Sequence, residues 1–74
     1  MYNGHKNWNH WNISLWINND EMLYFEVKQY IEEERNKDKA AALFLDWLHS
    51  LGIDKTPDGA PYSLSSIRAA IREI

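Results

Sequence analysis

The sequence predicts a compact all-α domain of three or four short helices that spans residues 1–74. A chain of 74 residues is enough for one domain, close to the lower size at which a chain buries sufficient apolar area to fold. Apolar side chains recur at helical spacing in several segments, with glycine and proline between them. Because the chain lacks cysteine, packing or oligomerisation must stabilise it, which suits a reducing cytoplasm.

In the first segment, NWNHWNISLWINND, the apolar residues fit both the spacing of a helix and the alternation of a strand. As a helix with Asn7 as N-cap, it places Trp8, Trp11 and Leu15 on one apolar stripe. As a strand, it alternates apolar and polar side chains from Trp11 to Ile17. The helix is preferred, because the chain offers no second strand to pair with the first.

A second helix is predicted from Asn19 to Arg35. Asn18 and Glu21 match a capping box at its start. Apolar side chains then recur at helical spacing at Leu23, Val27, Tyr30 and Ile31.

The third predicted helix, from Lys39 to Leu51, has the clearest pattern. Gly52 supplies the positive φ that ends it, and Ile53 is placed to pack back on Leu48 as in a Schellman cap. Its apolar stripe consists of Ala40, Phe44, Trp47, Leu48 and Leu51.

A loop and a fourth helix complete the chain. Pro57-Asp58-Gly59 predicts a turn within IDKTPDGAPY, and Ser63 is a natural N-cap for the last helix. The stripe of that helix is Leu64, Ile67, Ile71 and Ile74. The predicted core consists of Trp8, Trp11, Leu15, Leu23, Val27, Ile31, Phe44, Trp47, Leu48, Leu51, Leu64, Ile67 and Ile71.

Charge and composition argue against several functions. The net charge is −3; Lys and Arg number three against six Asp and Glu through Asn36, and five against five from Lys37 onward. A basic face for nucleic acid could therefore come only from the second half. The opening MYNGHKNWNH does not resemble a signal peptide, and the longest apolar run, Ala40 to Leu45, is too short to span a bilayer.

The residues also predict a protein without catalytic, metal or cofactor chemistry. The glycines stand alone, so no phosphate-cradling loop can be formed. His49 and Ser50 are adjacent on a helix and point in different directions. His5 and His10 have no established metal-ligand spacing with Asp20 or Glu21, and we expect them to be solvated. The chain is therefore expected not to be an enzyme.

Two resemblances extend this interpretation. Trp11-Asn12, Leu15-Trp16-Ile17 and Asn19-Asp20-Glu21 resemble the opening N-x-x-T-W-N-x-x-L-W-I-x-N-D-E of short uncharacterised proteins of phages, mobile elements and bacterial genomes. His10 stands where that pattern has Thr. This resemblance implies an all-helical fold and a mobile-element setting, but no activity.

A second resemblance covers Leu48 to Ile71, which is similar to the helix, turn and helix of the C-terminal part of large serine recombinases. In that context the last helix approaches DNA. Here the helix offers Arg68 and Arg72, with Glu73 opposing them. The shared glycine stop, Pro-Gly turn and serine cap would also suit any two helices joined by a loop.

The expected partner surface lies at Trp16, which is off the main stripe of the first helix and is flanked by asparagines. Tyr24 and Tyr30 could extend it, and simple burial of Trp16 is the alternative. The leading hypothesis is a non-enzymatic binding module of a phage or mobile element that occupies a surface on a host protein, for instance as an inhibitor of a defence or replication machine. Homodimerisation through the same surface is also open. The alternative function is a small DNA-binding regulator that uses Lys55, Ser65, Arg68 and Arg72.

Overall fold

The computed structural model describes residues 5–72 and 74, and it shows four helices and no strand within that part of the chain. The sequence-based expectations for the first four residues and for Glu73 lie outside it. The helices are α1 (Trp8–Asn19), α2 (Glu21–Glu34), α3 (Lys37–Ser50) and α4 (Leu64–Ile71). Both α1 and α3 pack against α2 and α4, so the all-α prediction is confirmed.

The helix ends follow local side-chain chemistry. The predicted N-cap Asn7 accepts a hydrogen bond from the His10 backbone N–H, and the predicted N-cap Ser63 forms a capping box with Ser66. The predicted capping box at Asn18 is wrong. Asp20 is the N-cap of α2 instead, accepting from the backbone N–H groups of Met22 and Leu23, while the Asn18 side chain donates to the Ser14 carbonyl.

The C-terminus of α3 has the predicted Schellman geometry. The Gly52 N–H donates to the His49 carbonyl at 3.0 Å, and the Ile53 N–H donates to the Leu48 carbonyl at 2.9 Å. Gly52 has φ +75°, which only glycine adopts without strain. Ile53 is partly buried against the core.

We expect Gly52→Ala to lower the free energy of unfolding by about 1 kcal/mol, as a shift of the urea midpoint would measure. A Cβ at Gly52 would meet no atom within 4 Å, so the loss would come from backbone strain alone. Asparagine tolerates the left-handed region better than alanine. Gly52→Asn is therefore the matched control and should be less destabilising. Equal midpoints for alanine and glycine would contradict the observed helix end.

The core agrees with the sequence at several positions of α2, α3 and α4, but it differs at others and along the whole of α1. Phe44, Leu48, Val27, Ile67 and Ile71 are fully buried. Trp11, Ile31 and Trp47 are only partly buried, and Leu51 and Leu64 are exposed because they lie at helix ends. The buried residues that the predicted core omitted are Asn12, Ile13, Ser14, Ile17, Ala40, Ala41, Thr56, Ala60, Tyr62, Ser66 and Ala70.

The predicted buried stripe of α1 is wrong. Ile13 and Ile17 are fully buried, whereas Trp8 is 37% exposed and Leu15 is 38% exposed. The helix is apolar on more than one face, so its own periodicity does not determine which face packs inward. The packing of α1 against α2 and α4 selects the face with Ile13 and Ile17.

Candidate functional site

An exposed apolar surface lies on α2, at Met22, Tyr24 and Phe25; we call it the α2 surface. Their side chains are 52%, 36% and 61% exposed, respectively. The same residues border an open depression of about 710 Å³ together with Glu21, Lys28, Gln29 and Glu32. Exposed apolar side chains gathered in one place are typical of interaction sites.

The periodicity of α2 places these side chains outward. Leu23 and Val27 lie four residues apart and are buried. Phe25 is two residues from Leu23 and therefore about 200° around the helix, on the opposite side. The N-cap Asp20 fixes the first turn and with it the position of Met22.

The charges around this surface are mostly negative. From Glu21 to Glu34, α2 carries five glutamates and one lysine. The Nζ of Lys28 lies 5.6 Å from the centroid of the Tyr24 ring, which is within the range of a cation–π interaction. Burial, together with hydrogen bonding to Glu26, raises the pKa of Tyr30 above its ordinary value of 10.0. The α2 surface is therefore apolar at its centre, with Glu21, Glu32 and Lys28 as the charged residues at its border.

The three partner-binding residues predicted from sequence have different environments. Tyr24 belongs to the α2 surface. Tyr30 is partly buried and packs against the core. Trp16 is also partly buried, and its indole Nε1–H donates to the Asp58 carboxylate at 2.9 Å. Met22 and Phe25, which sequence reasoning missed, carried a usable signal, since both are apolar residues off the predicted stripe of α2.

Trp16 belongs to a hydrogen-bond network that fastens the loop after α3 to α1. Asp58 also accepts from the Asn12 Nδ2 at 2.8 Å. The Thr56 hydroxyl donates to the Asn12 Oδ1 at 2.6 Å, and it accepts from the Ala60 N–H at 3.0 Å. The predicted turn is present, because the Gly59 N–H donates to the Thr56 carbonyl at 2.9 Å.

The hydrogen bonds from Asn12 and Trp16 lower the pKa of Asp58 below its ordinary value of 3.8. A carboxyl group whose folded-state pKa is lowered stabilises the fold above its unfolded-state pKa. That stabilisation is present at neutral pH and is lost as the pH falls through the lowered pKa. The network therefore has a structural role at neutral pH.

A second recess, the α1–α4 concavity, contains three of the four residues predicted to contact DNA. Ser65, Arg68 and Arg72 line it from α4, at the spacing of one helical face. Lys55 is not among its lining residues. Its backbone instead pairs with that of Pro61 in an isolated antiparallel β-bridge. The other polar side chains that line it, which sequence reasoning missed, are His5, Lys6 and His10. Their position depends on the packing of α1 against α4, which no local pattern reveals.

Within residues 5–72 and 74, no three His, Asp or Glu side chains come close enough to hold a metal ion. None of the described helices is both long and apolar enough to cross a membrane.

A family model described as "Family of unknown function (DUF7249)" matches residues 1–74. No curated protein and no solved structure matches the chain.

Proposed function

We propose, for a chain that belongs to this family of unknown function, that it is a non-enzymatic module that binds another protein through the α2 surface. The observation that carries this proposal is the exposure of Phe25, at 61%, beside Met22, at 52%. Leaving large apolar side chains in water forgoes stability that a domain of this size needs. A partner protein that covers these side chains would gain the free energy of burying their apolar surface.

The charge of α2 indicates the chemistry of the partner. An apolar centre bordered by Glu21 and Glu32 as well as Lys28, on a helix with five glutamates and one lysine, is complementary to an apolar anchor flanked by lysine or arginine. A second copy of the chain fits less well, because a two-fold dimer through α2 would bring two acidic helices together. We therefore propose that the partner is a foreign protein whose binding site has a basic rim.

The setting of this interaction follows from the resemblance of the opening segment to phage and mobile-element proteins. We infer a host protein in the cytoplasm as the partner, and inhibition by occupying a surface that the host machine needs. The proposed contact residues are Phe25, Met22 and Tyr24, in place of the set Trp16, Tyr24 and Tyr30 expected from sequence. Trp16 stabilises the fold through its hydrogen bond to Asp58, and Tyr30 packs against the core.

Site-specific photo-crosslinking in the cell that carries the gene tests this proposal. A photoreactive phenylalanine analogue replaces Phe25, or replaces Leu64 as the control. Leu64 is also an exposed apolar residue, at 40%, and it lies on α4. We expect one defined foreign protein to be crosslinked from position 25 and far less from position 64. Equal products from both positions, products containing only this chain, or no product from position 25 would overturn it.

A second candidate function is the small DNA-binding regulator. It is favoured by one observation: Ser65, Arg68 and Arg72 share a face of α4 and line the same concavity. A salt titration of binding to random duplex DNA separates the two candidates. The regulator predicts an affinity that falls steeply with salt concentration, whereas binding through the α2 surface predicts no duplex binding.

A further inference from the structure

The α1–α4 concavity gathers positive charge from two parts of the chain. Lys6 and His5 precede α1, His10 lies in its first turn, Arg68 lies in α4, and Arg72 is the residue directly after α4. The concavity has a volume of about 510 Å³, which lies within the usual range of small-molecule sites.

Little negative charge balances these cations in the described residues. Among residues 5–72 and 74, no side chain that lines the concavity carries a carboxylate. Asp38 of α3 contacts Arg68 at 2.9 Å, with both side chains at least half exposed. Burial, and then the positive charges of Lys6, His5 and Arg72, lower the pKa of His10. These like charges repel one another, and a bound anion would remove that cost.

The donors of the concavity suit a phosphate group in particular. Arginine presents paired N–H groups that match phosphate oxygens, and lysine adds a point charge. The Ser65 hydroxyl lies 3.3 Å from the His10 Nε2, so a neutral donor stands beside the cations. With Arg68 paired to Asp38, Lys6 and Arg72 leave two positive charges, which match the double charge of a phosphate monoester better than the single charge of a carboxylate.

We propose that the α1–α4 concavity binds the phosphate group of a nucleotide-sized phosphate monoester. This site shares no residue with the α2 surface and does not depend on it. It uses Ser65, Arg68 and Arg72 as the DNA-binding candidate does, but it requires no duplex and does not involve Lys55.

The test is an NMR titration with adenosine 5′-monophosphate, with adenosine as the matched ligand control. We expect the monophosphate to shift backbone amide signals around His10, Ser65 and Arg72, and adenosine to shift them far less. A short oligonucleotide with and without a 5′ phosphate forms the second arm. Preference for the free nucleotide or for the phosphorylated end identifies the source of the phosphate, and either one supports the site. Equal binding of adenosine and its monophosphate would overturn the proposal.

Three variants make the test specific. Arg72→Gln should weaken monophosphate binding about tenfold, the usual loss for one hydrogen bond to a charged group. It should still fold, because the Lys37 Nζ donates to the Arg72 backbone carbonyl rather than to its side chain. Lys55→Gln removes one positive charge outside the concavity and should leave the affinity unchanged. Asp38→Asn frees Arg68 from its ion pair and should tighten binding.

The responses of these variants decide between the phosphate site and general charge attraction. Equal weakening by Arg72→Gln and Lys55→Gln would show attraction by net charge alone and would overturn the proposal. Unchanged affinity in a folded Arg72→Gln protein, or weaker binding by Asp38→Asn, would also overturn it.

Discussion

Replacing Phe44 with alanine is expected to lower the free energy of unfolding by about 3–5 kcal/mol, the usual cost of deleting a buried aromatic ring. Phe44 is fully buried and is the largest of the fully buried side chains. It also stacks on Trp47, with ring centroids 5.7 Å apart and an interplanar angle of 27°. A small domain has little stability beyond this amount, so much of the variant should be unfolded without denaturant.

Urea denaturation followed by tryptophan fluorescence measures this loss. Leu43→Ala is the matched control, because Leu43 is the preceding residue and is 39% exposed; it should cost about 1 kcal/mol or less. Phe44→Leu should remain folded and lose less free energy of unfolding. It therefore provides a measurable value if the alanine variant does not fold. A Phe44→Ala midpoint equal to that of the parent would contradict the observed packing of α3.

Replacing Asn12 with alanine is expected to cost about 2 kcal/mol or more. Asn12 is 1% exposed and Thr56 is 3% exposed, and the substitution removes the acceptor of the Thr56 hydroxyl. Leaving a buried donor without a partner costs about 1–3 kcal/mol, and the lost side-chain volume adds to that. The loop should also detach from α1, because Asp58 loses one of its two donors.

Two measurements check this expectation. The urea midpoint should fall, and the Ala60 amide, which donates to the Thr56 hydroxyl, should exchange its hydrogen faster. Asn9→Ala is the matched control, because Asn9 is an exposed asparagine of the same helix. Equal midpoints and equal exchange rates for the two variants would show that the network does not hold the loop.

The sequence predicts the helices of this fold better than it predicts their contacts. The caps at Asn7 and Ser63 and the helix end at Gly52 depend on local signals, and each appears in the structure as expected. The buried face of α1 could not be predicted, because apolar residues lie all around that helix. The burial of Asn12 depends on Thr56, which lies 44 residues away in the chain.

The candidate sites show the same limit. Tyr24 was selected from sequence as an aromatic residue able to extend a patch, whereas Phe25 and Met22 were not selected, although both lie off the predicted apolar stripe of α2. The burial of Leu23 and Val27 agrees with that stripe and places Phe25 on the opposite side of the helix. For the concavity, the spacing of Ser65, Arg68 and Arg72 indicates one helical face. The cations that face them from the start of α1 are brought there by tertiary packing.

The claim that the α2 surface binds a foreign protein is tested most directly by isothermal titration calorimetry. The purified partner that photo-crosslinking identifies is titrated with the parent protein and with the Phe25→Ala variant. We predict at least about tenfold weaker binding than for the parent, the loss typical of a central aromatic contact. Leu64→Ala should bind as the parent does. The urea midpoint of Phe25→Ala should stay near that of the parent, because the side chain is 61% exposed. An unchanged affinity for a folded Phe25→Ala protein would contradict the claim.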